Sequence, residues 1–240
     1  MNGRCQYAVL LVTLAALGLG RPATAGPPYA ANCRTFFPLS STTDFSMALY
    51  VLPDGTGHAL NAARIRDGAG SVVDATIFVA IKDSEDHWVI GYPAADIWLE
   101  NLHGGLAFCP SHGAIADEPT TYHRLPPLNP DDPQPPTWEW STSFSGPFYG
   151  GGNTDPAAGD EIVVMTAATG STPLPRPLSD LQMNSADING DLVVNLDDIP
   201  LFVHDYYLGP YDFRSDLLAD NVINLSDLAV FVPAYTNHCP

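Results

Sequence analysis

Acidic and amide side chains recur at two places toward the C-terminal end of the chain with the same spacing. Residues 187–198 read DINGDLVVNLDD and residues 216–227 read DLLADNVINLSD, an offset of 29 residues. Downstream, VNLDDIPLFV (194–203) and INLSDLAVFV (223–232) agree at Asn, Leu, Asp, Phe and Val, so the two stretches are an internal duplication and not a chance run of Asp. The chemistry such a spacing serves is capture of a hard divalent cation. An ion of calcium's size takes about 6–8 oxygens, and a twelve-residue loop supplies them from positions 1, 3, 5, 7, 9 and 12. In the first loop Asp187, Asn189 and Asp191 fill the first three of these positions, Val193 offers its carbonyl, Asn195 follows, and Asp198 closes the loop. In the second, Asp216, Asp220, Val222, Asn224 and Asp227 take the matching places, while Leu218 at position 3 has no side-chain oxygen. Calcium is therefore the expected cofactor. Position 6, where the chain turns sharply and glycine is usual, carries Leu192 in one loop and Asn221 in the other.

The duplicated loop resembles a type I dockerin module, the calcium-binding half of the cohesin and dockerin pairs that assemble secreted polysaccharide-degrading complexes. The resemblance spans Ser185 to Pro233 and rests on two loops about thirty residues apart, Asn at position 9, Asp at position 12 and an apolar segment after each loop. It implies one helix after each loop, Asn195 to Tyr207 and Asn224 to Val232, within a small α-helical module over 181–240. It also implies a cohesin-like or other extracellular protein partner. Positions 10 and 11 are Leu196-Asp197 and Leu225-Ser226, a departure from the small hydroxylated residues that help many dockerins recognise cohesin.

Other groups that could do chemistry lack the company they would need. His103-Gly104-Gly105 has no Gly-x-Ser-x-Gly elbow to go with it, and the seven histidines form no HExxH pair. The acidic pairs Asp117-Glu118, Asp131-Asp132 and Asp160-Glu161 point opposite ways on an extended chain and read as solvated turns. No catalytic residue is assigned, and the chain is expected not to be an enzyme. Trp138 and Trp140 share one face of a strand and are expected in a core, with sugar stacking as the alternative. Gly150-Gly151-Gly152 reads as a flexible loop.

The elements that must carry these loops are mostly β. From Phe45 to Ala168 short extended runs alternate with turn residues, the clearest being Thr76 to Ile81, the turn Asp83 to Asp86 and the return Trp88 to Ile90. Met47–Leu52, Asp96–Leu99, Leu106–Cys109, Thr137–Phe144 and Glu161–Thr166 are the further strands. Residues 126–136 hold six prolines and read as an extended excursion, while Pro173, Pro175 and Pro177 mark a semi-rigid linker over 169–180. The segment 26–168 resembles bacterial immunoglobulin-like domains through Asp74 to Asp83, Val89-Ile90-Gly91-Tyr92-Pro93, Gly104-Gly105-Leu106 and Ala116-Asp117. The expected fold is mainly β, an antiparallel immunoglobulin-like β-sandwich followed by the small helical module.

Composition narrows the setting. With 27 acidic residues against 9 Lys and Arg the net charge is −18, which repels nucleic acid. Arg4, the apolar stretch Tyr7–Gly20 and Ala23-Thr24-Ala25 form a secretory leader cut after residue 25. That stretch is about 21 Å long as a helix, short of a bilayer core of roughly 30 Å, so no membrane span is expected. Beyond the leader lie Cys33, Cys109 and Cys239, and Cys33 is expected to pair with Cys109, leaving Cys239 over. The expectation is a secreted, non-catalytic protein, extracellular or at the cell surface, that attaches a β-sandwich to its partner through a calcium-dependent docking module. A carbohydrate-binding or polysaccharide-degrading component is the alternative.

Overall fold

The computed structural model of the chain describes residues 25–36, 46–102, 106–125, 137–152, 162–170, 172–174 and 181–240. The Pro-rich stretch 126–136 and the His103-Gly104-Gly105 turn lie outside the described residues. The chain is mainly β, with two helices near the C-terminus. Its strands are β1 Arg34–Phe36, β2 Met47–Val51, β3 Ala63–Ile65, β4 Val72–Val73, β5 Ile77–Ala80, β6 Ile97–Asn101, β7 Ala107–Phe108, β8 Thr121–Leu125, β9 Thr137–Phe144, β10 Gly150–Gly151, β11 Ile162–Thr166 and β12 Leu181–Ser185. The helices are α1 Ile199–Tyr207 and α2 Leu225–Ala234. Among the described residues no helix is long and apolar enough to cross a membrane.

Two four-stranded sheets carry the fold, in the orders β1-β5-β9-β8 and β12-β2-β3-β4, with the two-stranded ladders β6-β11 and β7-β10 beside them. Period-2 alternation supplies their shared core: Ile77, Val79 and Ile81 are buried in one cluster with Met47, Leu49 and Val51, Ile97 and Leu99, Ile162 and Val164, and Leu181 and Met183. The expected hairpin after β5 closes through the Lys82↔Trp88 bridge, with Asp86 N donating to Asp83 O.

Among the described residues one strand-to-strand ladder departs from the antiparallel expectation. β12 runs parallel to β2, Leu181 opposite Met47 through Ser185 opposite Val51. Strands so far apart in sequence meet by a long crossover, which permits parallel pairing. This explains why β2 is apolar without a break: a strand covered on both faces needs no polar side. Met47, Leu49 and Val51 face the sheet core, Ala48 meets Phe213 and Ala219, and Tyr50 joins a second core with Leu52, Ile188, Val194, Phe202, Leu217 and Phe231. Within the Pro-bearing segment after β11, Leu174 is buried in the first core and its N–H donates to the Val164 carbonyl.

Trp140 is half-buried against Tyr122, ring centroids 5.3 Å apart, and does not enter the core; the side chain of Trp138 lies outside the described residues. Cys109 pairs with Cys239, Cα atoms 5.8 Å apart, and Cys33 is buried and free, which corrects the expected Cys33–Cys109 bridge. The tail brings Cys239 across. Thr236 N donates to Val194 O, Val194 N to Asn237 O and Cys239 N to Leu192 O, a set of long-range bonds that cysteine spacing does not reveal.

Candidate metal centre

The two loops share the bonds that close them. Asp187 Oδ1 accepts from the N–H of Asp191 and Oδ2 from that of Leu192; Asp216 Oδ1 and Oδ2 accept from Asp220 and Asn221 at the same offsets. Asp198 takes the N–H groups of Asn189 and Asn195 at 3.0 and 2.8 Å, and Asp227 takes those of Leu218 and Asn224 at 3.0 and 2.8 Å. Asp191 and Asp220 each cap the N–H two residues on, as do Asn195 and Asn224. Such Asx turns need a short side chain ending in oxygen, which is why these positions carry Asp and Asn. Position 6 has φ 67° at Leu192 and φ 65° at Asn221, the left-handed turn that the loop spacing calls for.

The helices differ where the sequences differ. α2 begins at Leu225 under a capping box of Asn224 and Asp227, whereas α1 begins only at Ile199, four residues after the expected Asn195. Pro200, which stands where the second repeat has Ala229, has no N–H to bond back to Leu196, so an earlier regular turn cannot form.

Asp187, Asp198, Asp216 and Asp227 are all fully buried. The ion pairs among the described residues involve other carboxylates, those of Asp83, Glu85, Asp86, Glu118, Asp205 and Asp212. Four buried acids without a basic partner are costly, and backbone N–H groups, with the Tyr211 hydroxyl at 2.6 Å from Asp216 Oδ2, offset only part of that cost. Burial pushes the Asp187 carboxyl up to about 7, with the charges of Asp198 and Asp191 adding to the rise. Burial raises Asp198 and Asp227 in the same way. Among the described residues no three His, Cys, Asp or Glu side chains stand together as a ready-made metal cluster. Each loop instead mixes carboxylate, amide and carbonyl oxygens without sulfur or imidazole, a donor set that fits calcium better than a transition metal.

Three features of the site lie outside the loop motif. Gly150-Gly151-Gly152, expected to be a flexible loop, is buried, pairs with β7 through Gly150 and Gly151, and lies against the first loop. A Cβ on Gly152 would stand 2.3 Å from the Gly190 Cα, and one on Gly70, in the β3–β4 turn, would stand 2.8 Å from the Leu218 carbonyl. Each loop thus seats on a glycine turn of the β unit. Asp205 in α1 receives Arg214 Nε and Nη2 at 2.8 and 2.9 Å and the Ser215 hydroxyl at 2.6 Å, tying the first helix to the entrance of the second loop. The tail after α2 pairs with Val194 of the first loop. The run Gly150-Gly151-Gly152 was a signal in the sequence that could have pointed to such a seat.

No protein-family model matches this chain, and neither does any curated protein or solved structure.

Proposed function

We propose that the chain is a secreted, non-catalytic, calcium-binding protein in which two dockerin-like loops set a pair of helices for docking to an extracellular, cohesin-like partner, on a sandwich of the immunoglobulin-like kind. The observation that carries this reading is the set of closing bonds shared by the two loops around buried carboxylates that have no basic partner among the described residues. Asp187, Asn189, Asp191, the Val193 carbonyl, Asn195 and Asp198 would hold one calcium, and Asp216, Asp220, the Val222 carbonyl, Asn224 and Asp227 the other. Calcium supplies positive charge that neutralises the buried acids.

The helices support the docking part. Leu196, Ile199 and Val203 stay exposed after the first loop, and Leu225, Leu228 and Val232 repeat them after the second. Between α1 and α2 lies an apolar cavity of about 210 Å³ bordered by Phe202, Tyr206, Leu228 and Phe231. Leucines stand at 196 and 225 where small hydroxylated residues are usual, so a partner surface for this chain would be more apolar at those points. Calorimetric titration with calcium tests the first part, with two binding events expected and none in Asp187→Ala/Asp216→Ala. Capture of a cohesin domain in calcium, lost in chelator and in Val203→Asp/Val232→Asp, tests the second.

A second reading has one observation of its own. Tyr122 is 53% exposed and tilts against Trp140, an aromatic pair of the sort that stacks on sugar rings. Retardation in polysaccharide-containing native gels, abolished by Tyr122→Ala, would favour it.

A further inference from the structure

The residue expected to become the first of the secreted chain, Gly26, has its nitrogen 2.8 Å from Asp83 Oδ2. Asp83 is 4% exposed, a buried acid at the start of the β5 hairpin turn. Its two oxygens do different work. Oδ1 takes the N–H groups of Glu85 and His87, both at 2.9 Å, and so braces the turn beside its backbone bonds. Oδ2 is not needed for the turn and receives Gly26, with His87 Nδ1 farther off at 3.5 Å.

The segment that follows Gly26 is fastened to the same hairpin. Tyr29 N donates to Lys82 O at 2.8 Å, Asn32 Nδ2 donates to Asp83 O at 2.7 Å, Pro28 is buried, and β1 then pairs with β5. Gly26 is therefore held at Asp83 by its neighbours. The Gly26 N–H is also the largest influence keeping the Asp83 carboxyl below its ordinary range.

Hydrolysis of the Ala25–Gly26 peptide bond by a signal peptidase adds one water, leaves a carboxylate on Ala25 and frees an α-amino group on Gly26. With an ordinary pKa of about 7.7–8.0 that group is mostly protonated at neutral pH. We propose that Asp83 is a built receptor for this α-ammonium, so that removal of the leader completes an ion pair that clamps the N-terminal segment onto the β5 hairpin. The proposal rests on the secreted reading and on cleavage after Ala25. A single N–H donor becomes a charged one at the same position, and a charge-assisted hydrogen bond to a buried carboxylate is stronger than a neutral one.

Two measurements test it, the first addressing the cleavage and the second the receptor. The intact mass of the secreted protein should correspond to a chain starting at Gly26. Whole chains prepared to begin at Gly26, to begin at Ala23, or to begin at Gly26 with an acetylated amino group should then be melted, each with and without Asp83→Asn. The free Gly26 form should melt above the other two by about 2–4 °C, the shift a single interaction gives in a chain of this size. The difference should disappear in Asp83→Asn. A secreted chain with another first residue, equal melting temperatures for the three forms, or a difference that persists in Asp83→Asn overturns the proposal.

Discussion

A methyl group placed on the α-carbon of Gly151 would stand 1.8 Å from Oδ2 of Asp187. The oxygen concerned is the one that accepts the Leu192 N–H at 2.8 Å and so fixes the left-handed turn of the first loop. Gly151→Ala should therefore push the position-1 ligand out of place. Its expected cost is about 1–3 kcal/mol, the range for overpacking a filled site, together with weakened calcium binding at the first loop. Chemical denaturation and calcium titration of the variant check both. Gly113→Ala, where nothing lies within 4 Å of an added Cβ, is the control and should leave both unchanged.

The raised carboxyls give the metal-free protein a distinctive pH dependence. Asp187 titrates near 7 in the fold, against about 3.9 in an unfolded chain, so the native state holds this proton where the unfolded state has lost it. The stability from that difference is fully present below about pH 4 and is lost as pH rises to about 7. Asp198 and Asp227 shift in the same direction and reinforce the trend. In chelator, the melting temperature should fall between pH 5 and pH 7.5. Calcium must displace the proton, so its affinity should rise over the same interval, and calorimetry in buffers of different ionisation enthalpy should show proton release near pH 7. A metal-free melting temperature that climbs with pH would contradict the burial of these acids.

What the sequence disclosed follows from the range of the interactions involved. The loops were legible because the bonds from their own Asp and Asn side chains to their own backbone span nine residues or fewer, as from Asn189 N to Asp198, and spacing alone encodes such contacts. Ile77, Val79 and Ile81 were legible for the same reason, through strict alternation. β12 was not, since LQMNS carries a weak pattern and its partner β2 lies more than a hundred residues earlier. The unbroken apolar run Met47 to Val51 held the missing clue, because a strand covered on both faces requires a second layer, which the C-terminal residues supply. The Cys109–Cys239 bridge and the Gly150–Gly152 seat likewise depend on contacts made only after the tail and the loops have docked.

That bridge should matter for metal as well as for stability. It closes a stretch of 130 residues and pins the tail whose backbone pairs with Val194 and Leu192 of the first loop. Cys109→Ser/Cys239→Ser should lose about 2–5 kcal/mol of folding stability, the usual range for a native disulfide. Calcium affinity should drop at the first loop and hold at the second, where the tail makes no backbone bond among those described. Paired titrations of this variant in Asp216→Ala and Asp187→Ala backgrounds separate the two sites. An equal loss at both would mean that the bridge acts only on the global fold.

The two loops should also differ from each other. Asn189 Oδ1 accepts the Asp191 N–H at 2.9 Å and leaves the amide carbonyl directed into the first loop, whereas Leu218 gives the second loop neither that turn nor that oxygen. Water must complete the second coordination sphere, and the second loop should bind more weakly. The left-handed turn works against this ranking. Leu192 at φ 67° bears a cost of about 1–2 kcal/mol that Asn221 at φ 65° largely escapes, and tenfold in affinity is only about 1.4 kcal/mol. The strain, however, is already present in the metal-free fold, because Asp187 holds Leu192 there through its own hydrogen bond, so it lowers stability more than it lowers affinity. Leu192→Gly should accordingly stabilise the protein by about 1 kcal/mol with little change in binding. Leu218→Asn should tighten the second site toward the first. Calorimetric titration of Asp187→Ala against Asp216→Ala decides the order, and loss of the tighter site on removing Asp216, with that site intact on removing Asp187, would reverse it.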